Sequence, residues 1–205
     1  LSVAAARDAR PEHFRARLGE ALVDIRLNIA GRHNVRNALA AAACTLALGV
    51  PAEAIVRGLA AFEPVSGRLR RTHTAQGVPL IDDTYNANPD SMRAAIDVLA
   101  DQPAPRLMVM GDMGETGAQA EAFHREVGEY AVSRAIEQVW AVGKDMKAAA
   151  QAGGVQYWET VEALLAEHPQ APAGIASILV KGSRFMKMER VVRAWAEAAS
   201  PQGEH

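Results

Sequence analysis

Asp82-Asp83-Thr84-Tyr85-Asn86-Ala87-Asn88-Pro89 follows an apolar run at 78–81 and leads into a helical pattern that starts near Ser91. Polar and turn-forming residues at the carboxyl end of a strand are poor core material, and in open α/β sheets that is where ligands bind. Two adjacent carboxylates, a phenol and two carboxamides supply many donors and acceptors in a short space. The plainer reading is an ordinary strand-to-helix loop with Asx turns and a helix start. Asn86-Ala87-Asn88-Pro89 is a costly way to make a simple turn, which favours a ligand loop.

Working outward from this stretch, strands read at 69–74, 78–81, 107–110, 138–142 and 175–180, with a short one near 155–158. Helices read at 91–100, 118–133, 146–151, 161–167 and 186–198. Strands alternating with helices of this length imply an α/β fold: a mostly parallel, Rossmann-like sheet with helices on both faces. The turn Ala75-Gln76-Gly77 makes one edge antiparallel. Upstream, residues 14–18 and 23–29 alternate apolar and polar around Gly19-Glu20, which is the pattern of a hairpin with one buried face. Ala-rich helices follow at 34–48, ended by Gly49, and at 52–61, opened by Pro51. These elements hold no complete sheet of their own, so 1–65 reads as the tail of one domain and 66–200 as a second. Residues 63–67 link the two, and 201–205 read as a loose tail. The chain opens on Leu1 rather than Met, which reads as a fragment or processed product.

Bulk properties narrow the function. With 49% hydrophobic but only 5% aromatic residues, the core must be built from Ala, Val, Leu and Met. A net charge of -2 gives no reason to expect a nucleic-acid partner. A single cysteine, Cys44, excludes an internal disulfide framework, and its Ala-rich setting reads as small-residue packing. No apolar run reaches membrane-spanning length, and no leader pattern opens the chain. The six histidines are dispersed, so no metal-binding spacing is evident.

Four further patterns could carry chemistry. His33, Asn34 and Asn37 open the first long helix. Asn34 and Asn37 share a face, where carboxamides match the edge of an adenine; alternatively Asn34 caps the helix. Arg68 at the domain junction and Asp83 at the end of the following strand read as a phosphate ligand and a ribose acceptor, or else as a structural ion pair. The loop at 111–117 offers Asp112 and Glu115 at another strand end; its acids would repel a phosphate, and no Gly-Lys-Ser/Thr follows. Lys181, Ser183 and Arg184 form a basic turn before the last helix, suited to a carboxylate or phosphate.

In their order and spacing, Gly31-x-His33-Asn34-x-x-Asn37-x-x-Ala40-Ala41, the stretch from Asp82 to Ser91, and Lys181-Gly182-Ser183-Arg184 with Met188-Glu189 resemble the Mur ligases. These are cytoplasmic, ATP-dependent enzymes that extend the peptide of peptidoglycan precursors. Tyr85-Asn86-Ala87-Asn88-Pro89 is similar to the signature of the member that adds D-Ala-D-Ala, and argues against a folylpolyglutamate-synthase-like ligase. The resemblance runs from about Phe14 to Glu197; Gly114 and Thr116 depart from it where the family often has leucines.

It implies the end of a central ATPase domain plus a complete C-terminal domain. The phosphate loop, the Mg2+ ligands and the UDP-sugar domain would lie outside this chain. ATP would phosphorylate the terminal carboxylate of a UDP-N-acetylmuramoyl-tripeptide, and the amine of D-Ala-D-Ala would displace phosphate. By that likeness His33, Asn34 and Asn37 serve the adenine, and Arg68 and Asp83 serve the phosphates and ribose. Tyr85, Asn86, Asn88, Asp112, Glu115, Lys181, Ser183 and Arg184 serve the dipeptide side. No general base is expected within the chain. A monomer is expected, without membrane or nucleic-acid partners, and the chain is expected to be inactive alone because closure must assemble the site. A non-catalytic module that senses a nucleotide or dipeptide is the reading from another class.

Overall fold

The computed structural model describes residues 3–4 and 13–196. The sequence reading of 201–205 as a tail lies outside the described residues. The chain divides into two compact units, Leu1–Val65 and Ser66–His205.

In the first unit, β1 (Val3–Ala4), β2 (His13–Leu18) and β3 (Ala21–Arg26) form an antiparallel sheet in that order. The β2–β3 hairpin closes at Gly19-Glu20 with Leu18 opposite Ala21, as the alternation predicts. Strand alternation sends Phe14, Ala16, Leu18 and Ile25 inward. Helices α1 (Arg32–Ala47) and α2 (Ala52–Ala60) follow, with Ala38, Ala42 and Ile55 buried. Cys44 is exposed, so the expected packing role is not what its position on α1 gives it. Alanine repeats carry no periodicity that says which face of a helix is covered.

The second unit contains β4 (Arg70–His73), β5 (Pro79–Asp83), α3 (Pro89–Ala100), β6 (Arg106–Gly111), α4 (Ala120–Ser133), β7 (Gln138–Val142), β8 (Val155–Trp158), α5 (Val161–Glu167), β9 (Ser177–Lys181) and α6 (Glu189–Ala196). The sheet order is β4-β5-β9-β6-β7-β8, parallel except for the β4–β5 edge. Along β6, Leu107 and Val109 join a cluster with Trp140, Val180, Leu164, Val191 and Trp195, which is the α5–α6 face. Alternation puts Met108 and Met110 on the other face, where α3 and α4 bury Met92, Ile96 and Val127. The sheet is therefore covered on both sides, as a parallel sheet requires.

Three expected elements differ. The strand read at 78–81 runs on through Asp82 and Asp83, because both carboxylates find partners within the sheet's end. The helix read at 146–151 is a 3-10 segment, Asp145–Gln151. The helix read at 186–198 is a 3-10 turn, Arg184–Met186, then a left-handed Lys187 (φ 51°) and α6. The Lys181–Arg184 motif therefore does not open an α-helix; Lys181 is the last residue of β9.

Candidate functional site

Strand β9 lies between β5 and β6, with Lys181 in register with both Asp83 and Met110. The chain leaves β5 and β6 toward α3 and α4, and leaves β9 toward α6 on the opposite face. Such a change of direction opens a crevice at the carboxyl ends of the strands, the usual ligand position in this architecture. The loops after β5, β6 and β9 meet there.

The lower layer of this site is buried or partly buried, and its polar side chains are hydrogen-bonded. Lys181 Nζ donates to Asp83 Oδ2 at 2.7 Å and to the Asn86 carbonyl at 2.8 Å. Asp83 Oδ1 accepts the Leu69 N–H at 3.1 Å. Asp82, 5% exposed, accepts the Gly67 N–H at 3.0 Å and the Thr84 hydroxyl at 2.7 Å. The two adjacent acids thus clamp residues 66–69 onto the end of β5. The clamp needs glycine at 67: φ is +77°, and a Cβ there would meet the Tyr85 nitrogen at 2.9 Å. Ser183 is buried and donates its hydroxyl to the Ala87 carbonyl at 3.3 Å. Its N–H donates to the Asp112 carbonyl at 2.9 Å, and the Gly114 N–H donates to the Ala87 carbonyl at 2.9 Å. Gly182 passes so close to Met188 that a Cβ would stand 2.5 Å from its side chain.

Asp112 belongs to this layer too. Its carboxylate is buried and accepts the Met146 N–H at 2.8 Å, facing away from the crevice. Burial raises its pKa, while hydrogen bonds from the Met146 and Asp145 backbone oppose the rise. Asn88 is also committed: it is the N-cap of α3, in a reciprocal capping box with Ser91, and Pro89 takes the first helical turn. The plainer reading of this end of the stretch, as a helix start, is therefore realised at Asn88.

The upper layer is exposed. The Arg68 guanidinium stacks 4.2 Å above the ring of Tyr85, which is 46% exposed. Asn86, Glu115 and Arg184 are exposed beside their loops, and Arg184 makes a 3.7 Å pair with Glu189. Phe185, 64% exposed, stands next to Arg184, and composition gave no signal for it. Glu115 holds a left-handed φ of 60°, a conformation that costs a non-glycine residue about 1–2 kcal/mol and that recurs in functional loops.

In the first unit, His33, Asn34 and Asn37 also come together. Asn37 Nδ2 donates to Asn34 Oδ1 at 3.3 Å, and Asn34 Nδ2 donates to the Ala30 carbonyl at 2.7 Å and approaches His33 Nε2 at 3.1 Å. The N-cap of α1 is Gly31, so Asn34 is not the cap. Among the described residues no group of three or more His, Cys, Asp or Glu is arranged to hold a metal ion. The described residues thus offer no carboxylate cluster suited to Mg2+.

A mostly parallel sheet covered by helices on both faces, with three loops meeting at its carboxyl edge, is the class of a Rossmann-like α/β domain. The family is narrower: residues 67–184 match the Mur ligase, glutamate ligase domain, and the chain belongs to the Mur ligase family. It is 46% identical over 178 residues to the UDP-N-acetylmuramoyl-tripeptide–D-alanyl-D-alanine ligase of Escherichia coli, covering 85% of this chain and 39% of that one. Its fold matches MurF from Acinetobacter baumannii with a TM-score of 0.82 at 37% identity, over 95% of this chain and 45% of that one. A MurF ligase from Thermotoga maritima in complex with ADP shares the fold, with a TM-score of 0.76 at 23% identity over 90% of this chain and 43% of that one. The chain spans well under half the length of these relatives.

Proposed function

We propose that this chain is the C-terminal portion of an ATP-dependent ligase that joins D-Ala-D-Ala to UDP-N-acetylmuramoyl-tripeptide. The extended likeness to a curated ligase of that name carries the proposal. In it, residues 1–65 are the end of a central ATPase domain, and 66–200 are a C-terminal acceptor domain. The protein works as a cytoplasmic monomer; no helix among the described residues is long and apolar enough to cross a membrane.

A carboxylate is a poor electrophile, and transfer of the ATP γ-phosphoryl group to it supplies a leaving group. The amine of the dipeptide adds to the acyl phosphate, the C–N bond forms, and the tetrahedral intermediate expels phosphate. The protein's part is positioning and charge neutralisation. His33, Asn34 and Asn37 take the adenine. Arg68, held flat by Tyr85, presents its donors to phosphate oxygens. Tyr85, Asn86, Glu115 and Arg184 face the dipeptide, Glu115 toward its ammonium and Arg184 toward its carboxylate. Asp83, Asn88, Asp112, Lys181 and Ser183 hold these groups in place from beneath. The ADP bound to the Thermotoga relative supports the nucleotide part.

The test is ADP release by the polypeptide extended upstream to its natural start, with UDP-N-acetylmuramoyl-tripeptide present. Release that depends on D-Ala-D-Ala is expected. Release that depends on glutamate instead would move the chain to a folylpolyglutamate-type ligase, and no turnover with any acceptor would leave a binding module.

A further inference from the structure

One buried titratable side chain takes no part in the chemistry above. His124, on α4, has no solvent exposure at all. Its Nδ1 lies 2.6 Å from the Ala120 carbonyl, and its Nε2 lies 2.9 Å from the Met113 N–H. A carbonyl only accepts and a backbone N–H only donates, so Nδ1 carries the hydrogen and Nε2 is the acceptor. One tautomer satisfies both partners. An apolar side chain here would leave the Met113 N–H buried without a partner.

Met113 is the hinge of the loop after β6. On its amino side, the Asp112 carbonyl receives the Ser183 N–H; on its carboxyl side, the Gly114 N–H reaches the Ala87 carbonyl. Those two bonds join the β6 loop to the loops after β9 and β5. Asp112 is anchored through its own carboxylate to Met146. His124 therefore holds the Asp112–Met113 peptide, whose carbonyl and whose neighbouring Gly114 N–H bond the loops after β9 and β5.

We infer that His124 is a positioning residue: as a neutral, Nδ1-protonated imidazole it fixes Met113, and through Asp112 and Gly114 it fixes the loops that present Asn86, Glu115 and Arg184. The effect on turnover rests on the ligase proposal; the effect on the loops does not.

Two experiments separate these. In the 205-residue chain, imidazole 15N shifts should show the Nδ1–H tautomer. His124→Leu should speed amide exchange at Met113, Gly114 and Ser183 by about tenfold, the loss of one hydrogen bond's worth of protection. His124→Gln, whose Oε1 reaches the acceptor position, should restore it. In the extended polypeptide, His124→Leu should raise the KM for D-Ala-D-Ala by about tenfold while the KM for ATP stays within about twofold, again with rescue by Gln. An Nε2–H tautomer, or unchanged exchange at Gly114 and Ser183, overturns the inference. So does an equal rise in both KM values. Should the leucine variant not fold, His124→Asn, too short to reach Met113, takes its place against His124→Gln. A parent without dipeptide dependence sinks the ligase reading alone, and the tautomer and exchange results still decide the role of His124.

Discussion

The rim and the base of the β5–β9–β6 end are both built from polar and charged residues, yet burial divides their roles. Asp112, Lys181 and Ser183 are buried and Asp83 is partly buried, and they hydrogen-bond one another and backbone groups. Arg68, Tyr85, Asn86, Glu115 and Arg184 stand above them in solvent. A buried polar group without its partner costs far more than an exposed one, so the two layers should fail differently when altered. Base variants should lose stability, and rim variants should lose activity with the fold intact.

Lys181→Met is the most severe break. It keeps the buried stem but removes the ammonium that donates to Asp83 and to the Asn86 carbonyl, at a cost of about 3–5 kcal/mol by urea unfolding. A loss under about 1 kcal/mol would place Lys181 in the rim. Asp112→Ala strands the Met146 N–H and should cost about 1–3 kcal/mol.

Asp112 also leaves a pH signature. Burial raises its folded pKa above the ordinary carboxylate value, so the folded state holds its proton longer than the unfolded state does. Between those two pKa values stability falls as pH rises, and above the folded value the loss stays constant. Asp112→Asn should abolish that slope while keeping an acceptor; an unchanged slope would assign it elsewhere. At the opposite end of the same strands, Glu137 does the reverse. Its hydrogen bond from Arg106 lowers its pKa to about 2, and its contribution is lost as pH falls from about 4.5 toward 2. Glu137→Gln should flatten that acid limb in a pH series of thermal unfolding.

Asn88→Ala removes a capping box and should cost about 1 kcal/mol. Tyr85→Ala should be the mildest, costing about 0.5–1 kcal/mol for an exposed cation–π contact. A Tyr85 loss as large as that of Lys181 would erase the distinction between the layers.

Much of this architecture was readable from residue order. The alternation of strands and helices, the antiparallel edge at Ala75-Gln76-Gly77 and the hairpin at Gly19-Glu20 all rest on periodicity and turn chemistry, which act locally. The meeting of three strand ends was also readable, because a parallel sheet forces it. The inward or outward direction of each polar residue was not. Asp82 and Asp83 look alike in sequence; one faces Gly67 and Thr84, the other Leu69 and Lys181, and only the pleat and a partner nearly a hundred residues away decide it. The partner of Asp112, the Met146 N–H, is a backbone group that no composition reveals. The left-handed Lys187 that splits the last helix carries no glycine to announce it. His124 carries no sequence signal for a similar reason, since both its partners are main-chain atoms.

The most direct test of the two-layer account is Arg68→Ala in the extended polypeptide, with ADP release and thermal unfolding followed on the same preparation. A fall in kcat/KM for ATP of at least about tenfold, with stability within about 1 kcal/mol of the parent, is the predicted result. Unchanged ADP release, or a stability loss as large as that of Lys181→Met, would contradict it.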